Sequence, residues 1–200
     1  MARVSVEQRR RDLVDAAFRV IARDGIGQST TRAICAEAGV HQSVFHYSFR
    51  SKKELFQELV RTTVVAMVDA ALLVSEVSHD PGKSIRDGMR RVWAEAQAHP
   101  ERQLVGYELT TYVLRDPELA ELASWQYEQY YAQSERFVSA IESAAGVRWS
   151  VPRAVLVRMF TTAIDGLVLS WLAAGDTEGA TAAIDAFADY FSSLAVTSAR

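Results

Sequence analysis

The sequence predicts an all-α fold, and three observations predict it. Apolar residues recur three and four positions apart from one end to the other, the spacing that lays a single stripe along a helix. No stretch alternates apolar and polar residues between turn signals as a half-buried strand would. Proline and glycine gather at a few positions that cut the chain into about nine helix-sized segments. With 200 residues, 49% of them hydrophobic, the chain has ample material for a packed core.

The first helix is expected from about Val6 to Asp24, burying Leu13, Ala16, Ala17, Val20 and Ile21 and stopping at Gly25. After the turn GIGQST, Ser29 or Thr30 caps a short second helix that ends near Ala38, where Gly39 supplies a left-handed backbone without steric cost. A third short helix fits between His41 and Ser48. Ser51-Lys52-Lys53-Glu54 has the form of a capping box and opens a long fourth helix reaching about Val77. Asp80-Pro81-Gly82 opens a fifth, Pro100 a sixth, Asp116-Pro117 a long seventh and Ser150-Val151-Pro152 an eighth, because proline is tolerated in a first helical turn but not in an interior. Gly175-Asp176-Thr177 separates the eighth from a ninth. No flexible linker or repeat interrupts this order, so residues 1–50 and 51–200 are expected as two domains sharing the fourth helix as a rigid connection.

The net charge of -3 conceals an asymmetry. Through Leu55 ten basic side chains face six acidic ones, a balance of +4; the remainder has 12 against 19, a balance of -7. A basic end on an acidic body suits a protein that brings one part to phosphates and keeps the rest away. The N-terminus, MARVSVEQRRRD, lacks the apolar run of a secretory leader, and Asp69 and Asp165 interrupt the most apolar stretches. A cytoplasmic protein without a membrane span is therefore expected. The single cysteine, Cys35, has no partner for a disulfide or a zinc site and is expected as a small buried thiol in helix two.

Three short helices in the first fifty residues, with the glycine turn AEAGV between the second and third, fit a helix-turn-helix. On the third helix Val40, Val44 and Phe45 can pack on Leu13, Ala17 and Ile34, which turns Gln42, Ser43, His46 and Tyr47 outward. Those side chains are donors, acceptors or amphipathic rings suited to base edges and phosphates, where an ordinary solvated helix would more often carry Lys and Glu.

The run TTRAICAEAGVHQSVFHYSFRSKKELF resembles the DNA-binding signature of the TetR family, T-x-x-I-A-x-x-A-G-V followed by a recognition helix and F-x-S-K-x-x-L. The match covers about a quarter of the chain, and the helical remainder is similar to the family in length and helix count only. By that resemblance Thr31 and Arg32 touch the backbone or groove from helix two, Gln42 and Ser43 read bases, and Lys52 holds a phosphate from the start of helix four. The chain departs from the family pattern in five places, one of them Cys35, where an alanine is usual. His41 stands where a serine or threonine cap is usual, Ser43 where a glycine is, His46 where a tyrosine is, and Ser48 where a histidine is. Tyr47 is expected to take over part of the missing tyrosine's phosphate contact.

Beyond the fourth helix aromatic residues become frequent, several of them four apart from another aromatic or a methionine on one helix face, as with Tyr127 and Tyr131 or Met89 and Trp93. A cavity lined by aromatics with a few polar groups is what a small-molecule site requires, and the resemblance implies one among helices four to eight. Met67, Met89, Trp93, Tyr107, Thr111, Tyr127 and Tyr131 are its expected lining. Asp165, inside TAIDGLVLSW, is the most conspicuous acid, read first as a capped or water-bridged group at a helix contact. The last two helices carry apolar residues in excess of one face, among them Leu169, Leu172, Ile184, Phe187 and Phe191. Pairing with a second copy would bury them, and the resemblance implies such a four-helix interface. The expected partners are then double-stranded DNA with a near-palindromic operator, a small-molecule effector and a second copy of the chain.

Signs of catalysis are weak. Gly82-Lys83-Ser84 imitates the end of a phosphate-binding loop, but Val77 stands where its first glycine would be and no strand precedes it. There is no G-x-S-x-G, and His41, His46, His79 and His99 are scattered without acids or thiols at metal-ligand spacing. No cofactor is expected. A DNA-binding regulator without small-molecule input is the alternative, and an all-α enzyme a remote one.

Overall fold

The structure, a computed structural model, describes residues 5–72 and 78–197, and the side chains of 5–65 and 78–196. It is built almost entirely of helices and divides into two compact units, each assembled from two stretches of chain: Met1–Val65 with Leu104–Gln126, and Ala66–Gln103 with Tyr127–Arg200.

In the first unit α1 (Val6–Asp24) begins under Ser5, whose hydroxyl accepts the Gln8 N–H at 3.1 Å, and ends at Gly25, where φ is +80°. Its buried stripe is the one the sequence predicts, with Val14 added. After a 3-10 turn at Ile26–Gln28, α2 (Thr31–Glu37) is capped by Thr30, whose hydroxyl accepts the Ala33 N–H at 3.1 Å. Ser29, the other candidate, is instead buried with its hydroxyl donating to the Ile26 carbonyl. Gly39, with φ +65°, turns the chain into α3 (Gln42–Ser48). α4 (Lys52–Leu72) starts as half a capping box: Ser51 Oγ accepts the Glu54 N–H at 3.1 Å, but the Glu54 carboxylate reaches one residue further upstream, to the Arg50 N–H at 2.8 Å. The expected continuation of this helix to Val77 falls on residues 73–77, outside those described. The unit is completed by the later part of α6 (Pro100–Arg115), a 3-10 turn at Pro117–Leu119 and the beginning of α7 (Ala120–Ala145), which supply Leu109, Val113 and Leu119 to its core.

In the second unit α5 (Pro81–Ala98) opens as the Asp-Pro signal predicts, with Asp80 Oδ1 accepting the Gly82 and Lys83 N–H groups at 2.9 and 3.1 Å. Its stripe of Ile85, Met89, Trp93 and Ala96 is buried, and the helix packs against α9 (Thr177–Ser193) and α8 (Arg153–Ala174). Gly88 makes room there, because a Cβ at that position would clash with the tip of the Phe137 ring and force it to shift. Phe160 links the layers, edge-on to Phe137 at 6.0 Å and stacked on Phe191 at 4.1 Å. Arg90 forks onto Asp185 at 2.7 and 2.8 Å at the rim of the α5–α9 contact. Gly175, left-handed at φ +70°, ends α8, and Asp176 caps α9 through the Gly179 N–H at 2.9 Å.

The structure adds one feature that the sequence did not suggest. β1 (Val147–Trp149) and β2 (Ala195–Thr197) form an antiparallel ribbon with Arg148 opposite Val196. Three residues per strand are too few to establish an alternating pattern, so the ribbon leaves no periodic signal.

Candidate DNA-binding face

α3 is held from beneath and open above. Phe45 is buried, as is Phe49 just beyond the helix, the two rings lying 5.9 Å apart, and Val40 and Val44 are half-buried. Gln42, Ser43, His46 and Tyr47 are exposed together, Tyr47 by 85%. The inside and outside of this helix therefore fall as its periodicity predicts. His41 precedes it with extended backbone, φ -72° and ψ 147°, and its ring caps the helix: Nδ1 accepts the Ser43 N–H at 3.3 Å and lies 2.9 Å from Ser43 Oγ. An imidazole thus fills the role that the TetR-like pattern gives to a hydroxyl.

Four of the ten basic side chains in the N-terminal segment are committed to carboxylates inside the unit. Arg10 donates to the Ser48 carbonyl at the end of α3 and to Glu54 at 3.0 Å, with its guanidinium 4.2 Å from the centre of the Phe49 ring. The Arg50 N–H and Arg10 together hold the Glu54 carboxyl below the usual carboxylate range. Glu37 on α2 accepts from Arg19 and Arg23 on α1 at 2.8 and 2.9 Å, and its carboxyl is lowered by both. Lys53 meets Asp116 at 3.0 Å and also Glu118. These partnerships went unseen in the sequence, where the run Arg9-Arg10-Arg11 registers only as charge; i, i+4 spacing cannot reveal pairs 14 to 65 positions apart. Arg32 and Arg50 remain exposed, and no ion pair among the described residues engages them. Thr31, the first residue of α2, is half-buried. Lys52 is half-buried with its ammonium 4.8 Å from the centre of the Phe56 ring, and desolvation lowers its pKa from the usual lysine value.

A second connection ties the helix-turn-helix to α6. The Glu108 carboxylate accepts the Ile26 N–H at 2.7 Å, satisfying a donor in the turn between α1 and α2. Cys35 is buried, and burial raises its thiol pKa, which leaves it protonated and unreactive.

The residues expected around a small-molecule pocket are divided between the two units. Tyr107 and Thr111 lie on the part of α6 in the first unit, Tyr107 half-buried and Thr111 exposed. Met89 and Trp93 are buried in the second unit, where the Trp93 indole N–H donates to Thr181 at 3.0 Å and the ring meets Trp171 edge-on at 5.1 Å. Tyr127 and Tyr131 stand together on α7, 6.1 Å apart. The Tyr127 hydroxyl donates to Asp165 at 2.9 Å, and burial and the neighbouring carboxylate push its pKa above the phenol range. Tyr131 accepts from Arg158 at 2.9 Å. Asp165 is thus a hydrogen-bonded group at the α7–α8 contact. The side chain of Met67 lies outside the described residues.

Of the residues expected on a subunit interface, Leu169 is 50% exposed, Phe187 37% and Leu172 half-buried. Ile184 and Phe191 are corrected to the chain's own core, at 0% and 1% exposure, because α5 and Phe160 already cover the face of α9 that carries them. Between α8 and α9 runs an open groove of about 980 Å³ lined by Val155, Met159, Ala163, Leu167, Phe187 and Tyr190 among others.

Known proteins share the family domains and the fold of this chain. The family of bacterial regulatory proteins named for tetR matches residues 13–59, and the tetracyclin repressor-like C-terminal domain matches residues 81–191, more than half of the chain. The chain is 26% identical over 171 residues to the nicotine-responsive transcriptional repressor HdnoR of Paenarthrobacter nicotinovorans, covering 86% of this chain and 87% of that one. Its fold is similar to that of a TetR transcription regulator from Haloarcula marismortui, with a TM-score of 0.80 and 16% identity over 95% of this chain and all of the other. It is also similar to the regulator FadR from Bacillus subtilis, solved with stearoyl-CoA, with a TM-score of 0.73 and 15% identity over 92% and 97% of the two chains. With an exposed polar face of α3 on a buried three-helix frame and both family domains matched in order, the chain belongs to the TetR family and is a DNA-binding transcriptional regulator, not an enzyme.

Proposed function

We propose that the protein is a homodimeric repressor that binds a near-palindromic operator through α3 and is released from it by a small-molecule effector. The observation that carries this reading is the polar, exposed face of α3 set on a frame whose nearby cations Arg10, Arg19, Arg23 and Lys53 are already paired within the protein. Gln42 and Ser43 read bases; His46 and Tyr47 contact base edges or phosphates. Thr31, Arg32 and Lys52 fix the backbone register, with exposed Arg50 adding to the positive field. A two-fold dimer places the two recognition helices roughly 34 Å apart, which demands half-sites one helical turn apart.

The α8–α9 face is the dimer surface. α8 has the length and apolar composition of a membrane-crossing helix, yet only 28% of its most apolar stretch is buried in this chain. A second copy packed across α8 and α9 would cover that surplus together with Leu169, Leu172 and Phe187, of which Phe187 lines the groove.

Effector control is supported by HdnoR, named as nicotine-responsive, and by FadR, solved with stearoyl-CoA. Tyr127 and Tyr131 on α7, with Met89 and Trp93 buried in the same unit, are the nearest to a polar-aromatic lining. Moving the population from 1:99 to 99:1 requires the effector to favour the released state by about 5.5 kcal/mol. α4 and α6 both reach the DNA-binding unit, α4 directly after α3 and α6 through Glu108, and either can carry the shift.

The test is binding of the purified protein to genomic fragments, including DNA upstream of its own gene, at two salt concentrations. Tight, salt-sensitive binding to one fragment, weakened by Gln42→Ala and by Tyr47→Ala, is the expected result. Equal, weak binding to every fragment, unmoved by either substitution, would overturn it.

A further inference from the structure

The hydrogen bonds at the start of α3 determine more than the position of Ser43; they determine which way its hydroxyl points its proton. His41 Nδ1 faces two groups of Ser43, the backbone N–H at 3.3 Å and Oγ at 2.9 Å. A backbone N–H can only donate, so Nδ1 must present its lone pair, and the imidazole proton resides on Nε2. An unprotonated Nδ1 cannot donate to Oγ. The 2.9 Å contact is therefore Ser43 Oγ–H donating to His41, and the single lone pair of Nδ1 is shared between the hydroxyl and the more distant Ser43 N–H.

A serine hydroxyl has one proton and two lone pairs, which ordinarily lets it serve either kind of base edge. Several helical hydroxyls elsewhere in this protein direct their proton to a carbonyl one turn back, as Thr110 does to Gly106 at 2.8 Å and Ser192 to Ala188 at 2.6 Å. Ser43, in the first turn of α3, sends its proton to the capping imidazole. What it turns to solvent is a pair of acceptors, on a face where Gln42, His46 and Tyr47 are also exposed.

We propose that His41 is a positioning residue that sets the polarity of Ser43, so that the operator base read by Ser43 offers a major-groove donor, the N6 amino group of adenine or the N4 amino group of cytosine. On the strand it faces, Ser43 discriminates against guanine and thymine, whose exposed O6, N7 and O4 atoms are acceptors and would meet its lone pairs. The inference rests on the reading that α3 lies in the major groove. One neutral hydrogen bond made or refused gives about a threefold to tenfold preference at that position.

Selection of bound sequences from a randomised duplex library tests this, with the wild-type chain, Ser43→Ala, His41→Ala and His41→Asp in parallel. Ser43→Ala identifies the position, since the preference there alone collapses. The expected wild-type preference at that position is adenine or cytosine on one strand. His41→Ala, which frees the hydroxyl to rotate, should reduce it to less than about twofold while the rest of the motif persists. His41→Asp, whose carboxylate can only accept, should restore the preference although its negative charge weakens binding overall. A cap that only stabilised the helix would lower affinity in His41→Ala without changing base preference at one position. That result, or a wild-type preference for guanine or thymine where Ser43→Ala acts, overturns the inference and leaves the DNA-binding reading intact. Absence of any enriched motif for the wild-type chain overturns both.

Discussion

The Arg10 guanidinium serves three groups at once, the Ser48 carbonyl, the Glu54 carboxylate and the face of the Phe49 ring. It thereby joins α1 to the end of the recognition helix and the start of α4, and it fixes the direction in which α3 leaves the frame. Glu54 answers with a bond to the Arg50 N–H, so its charged form is favoured in the folded state and its pKa lies below its ordinary value of 4.5. Glu37 and Asp116 are lowered in the same sense by Arg19 with Arg23 and by Lys53. A carboxylate with a depressed folded-state pKa contributes stability above its unfolded value and loses it as pH falls through the folded one. Thermal melts should therefore drop as the pH is taken below about 4.5, and Glu54→Gln should flatten part of that drop while lowering the melt at neutral pH. An unchanged acid profile in Glu54→Gln would mean that the carboxylate does not distinguish the folded chain from the unfolded one. None of the ion pairs of Glu54, Glu37 and Asp116 was legible beforehand, because each joins residues distant in sequence, whereas Phe45 inward and Tyr47 outward follow from helical periodicity alone.

At the scale of the element, local chemistry was enough to place most helix boundaries. Ser5, Thr30, Asp80 and Asp176 cap where hydroxyl and carboxylate residues precede apolar runs, and Gly25, Gly39 and Gly175 take positive φ where a helix must stop. What such signals omit is which helix rests on which. Glu108 lies within α6, far in sequence from the helix-turn-helix, yet it accepts the Ile26 N–H in the turn that follows α1. That contact makes α6 a support for the DNA-binding unit. Glu108→Ala leaves a part-buried donor unmet and should cost about 1–2 kcal/mol in a denaturant melt. Glu108→Gln retains an acceptor oxygen and should recover most of the loss. If both variants melt with the wild type, the turn is held by its own backbone, and α6 has no purchase on it.

For the whole molecule the decisive question is what covers α8 and α9. The sequence presents their apolar residues as one surplus, and the structure separates it into two populations. Ile184 and Phe191 are sealed within the chain, whereas Leu169 faces outward and Phe187 is partly exposed in the lining of the groove. Helical periodicity shows that both faces are apolar, but it cannot show that α5 takes one of them, since that packing is set by residues about 90 positions away. The two populations predict opposite behaviour. Phe191→Ala opens a cavity in the chain's own core and should destabilise folding by about 3–5 kcal/mol. Leu169→Asp with Phe187→Asp removes no internal contact of comparable depth, so the chain should remain folded by circular dichroism. It should nevertheless sediment as a monomer at micromolar concentration. Because each protomer then holds only one half-site, operator affinity should fall by about a hundredfold or more. A double variant that stays dimeric would transfer the interface to another surface, and a monomer that binds the operator undiminished would show that one recognition helix is enough.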